Sequence, residues 1–166
     1  MDKRIYGVEG VLLIECINPR YKKYRVRWDI QPYKDNIITF LETEFTHKPT
    51  MSEIKDTILS WINSKTNERI LSGFYWKDML IWLSTENQLN YKVAYDLATQ
   101  TEGVNLPVTF KFGNTENPVY YTFTSMDELT DFYVKATIHI NEQLSIGWKE
   151  KDAIDWSEYE KLLSDN

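Results

Sequence analysis

Three features of the sequence predict an α+β fold, built as two modules in which small sheets are packed by helices. Segments such as "KYRVRWDI" at 23–30 alternate apolar and polar residues, the mark of a half-buried strand. Three Ser/Thr-x-x-Glu/Gln sites each precede an apolar stripe at helical spacing, so helix starts and helix faces agree. Charge also divides the chain. Residues 1–69 hold 12 Lys/Arg against 10 Asp/Glu, or +2, and residues 70–166 hold 7 against 15, or −8.

The first module, residues 1–69, reads β-β-β-α. It opens with an apolar run from Ile5 to Ile17, interrupted by Gly7 and Gly10. "NPR" at 18–20 is a turn signal, because Asn-Pro initiates turns and Pro19 fixes φ. In the strand that follows, Tyr24, Val26, Trp28 and Ile30 share one face, and Lys23, Arg25, Arg27 and Asp29 the other. A third strand spans 36–46, with Ile37, Leu41 and Phe45 on one face and Glu42 and Glu44 on the other. Thr50 and Glu53 form a capping box, and Met51, Ile54, Ile58, Trp61 and Ile62 give the helix one buried stripe. The polar stretch "NSKTNE" at 63–68 reads as the end of the module and a linker.

The second module, residues 70–166, reads β-β-α-β-β-α-α. "SGFYWKDMLIWL" at 72–83 forms two strands folded about Lys77-Asp78, although Lys-Asp is not a favoured two-residue turn. Phe74 and Trp76 point one way and Tyr75 the other, and apolar residues on both sides suggest a hairpin covered on both faces. On this reading Trp76 and Trp82 are both core. Thr85 and Gln88 make the second capping box, with Leu89, Val93 and Leu97 as the helix stripe and Tyr95 a further candidate; Gly103 and Pro107 stop it. "PVTFKFG" and "PVYYTFT" flank "NTEN" as a longer hairpin. Ser125 and Glu128 open a helix whose stripe is Met126, Leu129, Tyr133, Ala136, Ile140 and Leu144, with Gly147 a candidate break. "DAIDWSEYEKLL" supplies the last helix.

Composition narrows the function classes. Of the 166 residues 42% are hydrophobic and 14% aromatic, enough for a real core and too many for a disordered chain. No run of about 18 apolar residues offers a membrane span. "MDKRIYG" lacks a signal-peptide core, so the expected location is the cytoplasm or a particle assembled there. Cys16 is the only cysteine, which rules out an internal disulfide and thiolate-cluster metal sites.

The span from about Ile70 to Tyr159 carries a Gly-x-x-Trp hairpin, Gly73 to Trp76, followed by "WLSTENQLNYKVAYDLA", "LPVTFKFG", "DELTDFYVKATIHI" and "KDAIDW". In these segments it resembles an uncharacterised domain of tailed-phage and prophage proteins, often found in proteins linked to tail-fibre assembly. The first module, "YRVRWDIQPY" through "FTHKPTMSEIKDTILSWI", resembles leader segments that precede such domains. The resemblance implies a virion component or an assembly helper, left in the host or carried in the particle, and it brings no activity with it.

Signals of chemistry are sparse. His47 lies in a loop and His139 on a helix, neither with a ligand-spaced partner. Gly-x-Ser-x-Gly and phosphate-cradling Gly-rich loops are missing, and Asp127, Glu128 and Asp131 sit where capping explains them. No catalytic, cofactor or metal residues are therefore expected, and the chain reads as non-enzymatic. The candidate partner-binding surface is the basic, aromatic segment with Arg20, Lys22, Lys23, Arg25 and Arg27, joined by Tyr120 and Tyr121. Its weak net charge argues against nucleic acid and for an acidic protein partner. If the second and third strands pair, Arg25 and Arg27 lie across from Glu42 and Glu44. The expected function is a tail or tail-fibre adaptor or assembly chaperone, with phage structural proteins or further copies of itself as partners. The alternative is a carbohydrate-binding module for host surface glycan, using exposed rings such as Tyr120, Tyr121 or Tyr133.

Overall fold

A computed structural model describes residues 4–165. Eight strands and four helices form an α+β fold of three small antiparallel sheets. The chain divides into two compact units, Met1–Trp61 with Ala153–Asn166, and Ile62–Asp152.

In the first unit the opening apolar run becomes two strands rather than one, β1 (Ile5–Val8) and β2 (Ile14–Asn18). Gly10, at φ +85°, lies in the turn between them. Asn18 caps a 3-10 turn at Pro19–Tyr21, its Oδ1 accepting from the Tyr21 amide at 3.2 Å, as Asn-Pro implies. β3 (Lys23–Lys34) and β4 (Ile37–Phe45) complete a four-stranded sheet in the order β1-β4-β3-β2. Arg25 pairs with Glu44 and Arg27 with Glu42, the register that opposite charges favour. The alternation in β3 stops at Asp29. There φ is 51° and the register shifts, which turns Ile30 out of the buried face to become exposed.

Helix α1 (Met51–Leu71) begins with the expected capping box. The Thr50 amide donates to Glu53 at 2.8 Å, and the Glu53 amide donates to Thr50 Oγ1 at 3.3 Å. The Thr50 amide and hydroxyl, then His47, pull the Glu53 carboxyl down to about 2. Ile54 and Ile58 are buried, and Trp28 of the sheet meets Trp61 edge-on at 6.4 Å. The C-terminal helix α4 (Trp156–Asp165) belongs to this unit and not to residues 70–152. Its Tyr159 hydroxyl donates to the Arg27 carbonyl at 2.8 Å, and burial pushes that phenol up to about 12.

The second unit corrects the linker expectation. Residues 63–68 are the continuation of α1, not a break. Lys65 of this stretch and Arg69 just beyond it both bond Glu150 on α3 (Met126–Asp152), at 2.9 and 3.0 Å. Gly147 does not interrupt α3. It is buried, and a Cβ there would stand 2.3 Å from Thr66 Oγ1, so glycine permits the two helices to approach.

β5 (Phe74–Trp76) and β6 (Met79–Ile81) form a hairpin turning through Lys77 and Asp78. Both turn residues have positive φ, 48° and 61°, which is the backbone of a tight two-residue hairpin loop. α2 (Thr85–Gln100) is capped by Ser84, whose hydroxyl accepts from the Asn87 amide; the expected Thr85 lies one residue inside. β7 (Val108–Gly113) and β8 (Pro118–Phe123) make the second hairpin. Trp76, Tyr91, Phe112, Phe123 and Phe132 gather into one aromatic core with Ile81, Leu83 and Leu129. The expected α3 stripe faces it, with Leu129 and Ala136 buried and Met126, Tyr133, Ile140 and Leu144 half-buried.

Candidate functional site

The basic segment chosen from the sequence separates into two groups. Arg25 and Arg27 are engaged. Arg25 bridges Glu42 at 3.2 Å and Glu44 at 2.7 Å. Arg27 is buried between Glu42 at 3.0 Å and Glu15 at 2.6 Å, donates to the Leu12 carbonyl at 2.8 Å, and lies over the Phe40 ring. Each of these charges is paired within the chain. Arg20, Lys22 and Lys23 remain exposed at the β2–β3 connection, with Arg20 beside the Tyr21 ring. Three cations on one turn are a small surface compared with the five expected.

Tyr120 and Tyr121 lie in the other unit and differ in the same way. Tyr121 turns inward, its ring against Trp76 at 5.1 Å and Phe123 at 4.9 Å. Its hydroxyl donates to Glu128, which also binds Lys77. Those bonds, from Lys77 first and Tyr121 second, hold the Glu128 carboxyl below the usual carboxylate range. Tyr120 faces outward and is exposed. Of the rings named for glycan contact, Tyr133 stacks on Tyr95 at 4.4 Å and is half-buried.

The β5–β6 hairpin buries one face, not two. Trp76 is 2% exposed and donates its indole N–H to Asp131 at 2.9 Å, whereas Trp82 is 47% exposed. Trp82 follows the last paired residue, Ile81, and stands on the outward side with Tyr75 and Leu80. The expectation that Trp82 is core therefore fails: the core lies on the Trp76 and Ile81 side of the hairpin, and Trp82 is on the other.

α2 also turns opposite to its expected direction. Tyr91 and Ala98 are buried, while Leu89, Val93 and Leu97 are 60%, 55% and 47% exposed. Tyr91 explains the choice: its ring meets Phe110 at 4.8 Å and Phe132 at 5.0 Å in the aromatic core. A large ring with many neighbours outweighs an aliphatic stripe. The result is a row of aliphatic side chains, four residues apart, facing outward.

A third outward feature is a cleft of about 200 Å³ lined by Trp82, Asn87, Lys111 and Asn114, with Phe112, Gly113 and Thr115. Sequence reading missed it because its parts come from four places: the residue after β6, the first turn of α2, the end of β7, and the β7–β8 loop. The one local signal was an indole just beyond a strand, immediately before a helix cap. Among the described residues no group of three or more His, Cys, Asp or Glu is placed to hold a metal ion. No helix among them is long and apolar enough to cross a membrane. Comparison with known protein families, curated proteins and solved structures finds no match.

Proposed function

We propose that this chain is a non-enzymatic protein that works by docking onto another protein through the outward face of α2. The observation that carries the reading is the row Leu89, Val93 and Leu97, each about half exposed or more, on a helix whose other side is packed. Apolar side chains at i, i+4 and i+8 form one ridge, and covering such a ridge removes apolar area from water at about 25 cal/mol per Å². Contiguous apolar patches of this kind mark contact sites on proteins. Lys92 and Asp96 beside the ridge pair with each other, so the ridge offers an apolar partner contact rather than a charged one.

The narrower setting is a phage or prophage assembly, as a tail or tail-fibre adaptor or an assembly chaperone. It rests on the resemblance of residues 70–159 and is tested by the position of the gene: a place among tail or fibre genes supports it, and a place remote from any phage locus overturns it. The docking reading is tested by co-expressing the chain with the products of its neighbouring genes. The expected result is a stable complex that Val93→Glu abolishes while leaving the circular dichroism spectrum and urea midpoint unchanged. Loss of neither partner nor affinity on that substitution would overturn the α2 face as the contact.

A further inference from the structure

We propose that the Trp82 cleft is a saccharide site, in which the indole carries the apolar face of one pyranose ring. At about 200 Å³ the cleft is smaller than the roughly 300–1,000 Å³ of pockets that enclose a whole drug-sized molecule. It suits one ring of a longer chain.

Two side-chain amides that line the cleft with the indole are already held, one through its nitrogen and the other through its oxygen. Asn87 donates its amide N–H to the Trp82 carbonyl at 3.0 Å, which ties it to the residue whose ring it flanks and leaves Oδ1 as an acceptor. Asn114 accepts from the amides of Glu116 and Asn117, at 3.1 and 2.7 Å, which leaves its Nδ2 as a donor. A fixed donor and a fixed acceptor beside a ring match the vicinal hydroxyls of a sugar, and their ordering cost is met before the ligand arrives. Lys111 also lines the cleft and makes no ion pair among the described residues, so it can take an acidic substituent such as a uronate carboxylate.

The other occupants fit less well. An apolar protein side chain over Trp82 would leave both amides desolvated without partners. A nucleic acid strand needs cations along its backbone, yet this unit holds 8 Lys/Arg against 12 Asp/Glu and the cleft holds one lysine. The outward face continues past the cleft. Tyr120 is the cross-strand partner of Lys111 and is exposed, so it offers a ring for the next sugar.

Trp148 provides the internal control. It too is exposed, in a cleft of about 190 Å³ with Asn63, Asn67 and Lys151. Neither of those asparagine side chains has a hydrogen bond among the described residues, so that cleft lacks the fixed donor–acceptor pair.

The test is a titration of the full chain with ¹⁵N-indole-labelled tryptophan against cellotetraose, chitotetraose, tetragalacturonate and an oligothymidylate tetramer. The expected result is a saturable shift of the Trp82 indole with at least one saccharide. Trp82→Ala weakens that binding about tenfold or more, the equivalent of one lost ring stack, and Trp148→Ala leaves it unchanged. Tyr120→Ala is expected to weaken the tetrasaccharide a few-fold and the corresponding monosaccharide not at all. A tetragalacturonate preference that falls away in Lys111→Gln supports the acidic subsite. The proposal is overturned if no saccharide shifts Trp82 at millimolar concentration, if binding survives Trp82→Ala, if Trp148→Ala alone removes it, or if only the oligothymidylate binds.

Discussion

The four-stranded sheet and the β5–β6 hairpin each have an outward face, and they treat it in opposite ways. On the sheet that side carries Glu15, Arg25, Glu42 and Glu44 around a buried Arg27, and every one of these charges meets another within the chain. On the hairpin it carries Tyr75, Leu80 and Trp82, and two of these three are exposed. A face whose charges satisfy one another gains little from a partner, since desolvating paired ions costs as much as it returns. A face of rings beside fixed amides gains from each contact it makes. Arg25 and Arg27 of the conspicuous basic sequence therefore do structural work, and the surfaces proposed for binding lie where the sequence looks like ordinary core.

That contrast makes Arg27 the most damaging surface-derived residue to remove. Arg27→Ala leaves Glu15 and the Leu12 carbonyl without their donor, while Arg25 still faces Glu42. Breaking one partner of a buried pair costs about 3–5 kcal/mol, and the remaining Arg25 places this case near the lower end. Urea unfolding followed by circular dichroism checks it. Arg20→Ala, at an exposed position, should stay within about 0.5 kcal/mol. Equal effects at the two positions would mean that the sheet face is not internally satisfied.

A smaller effect is expected where α1 and α3 meet. Gly147→Ala brings a methyl group against Thr66 Oγ1, 2.3 Å away, and overpacking of this kind costs about 1–3 kcal/mol. Alanine's better helix propensity returns about 1 kcal/mol of that. The double variant Thr66→Ala/Gly147→Ala removes the collision and should recover most of the lost midpoint. If the double variant is no better than Gly147→Ala alone, the two helices do not approach through this pair.

These outcomes also explain which parts of the fold were legible in the sequence. The Arg25–Glu44 and Arg27–Glu42 register was readable because alternation and charge sign pointed the same way. Thr50 and Glu53 marked the start of α1 because a capping box is local. The end of that helix was not readable. "NSKTNE" resembles a linker until Glu150, more than eighty positions later in the chain, supplies a partner for its Lys65 and for Arg69 immediately after it. α2 was ambiguous for a different reason: Leu89–Val93–Leu97 and Tyr91–Tyr95–Ala98 are both regular stripes, and only the tertiary ring cluster selects the second. The allegiance of α4 was invisible for the same reason, since Tyr159 is held by a carbonyl in β3. The candidate site was the least legible part, because its residues converge only after the hairpin, α2 and the β7–β8 loop are in place.

The two faces of one hairpin give the most direct test of this account. Trp76 and Trp82 are near neighbours in sequence, yet one lies in the core and the other stands half-exposed. Urea unfolding of Trp76→Ala and Trp82→Ala, followed by circular dichroism so that neither indole is the probe, compares them under the same conditions. Trp76→Ala should lower stability by about 3–5 kcal/mol, as expected for a large ring removed from a packed core. Trp82→Ala should leave it within about 0.5 kcal/mol, as expected for an exposed side chain. A similar fall in both midpoints would contradict the account, because it would place Trp82 in the core and remove the ring from the proposed site.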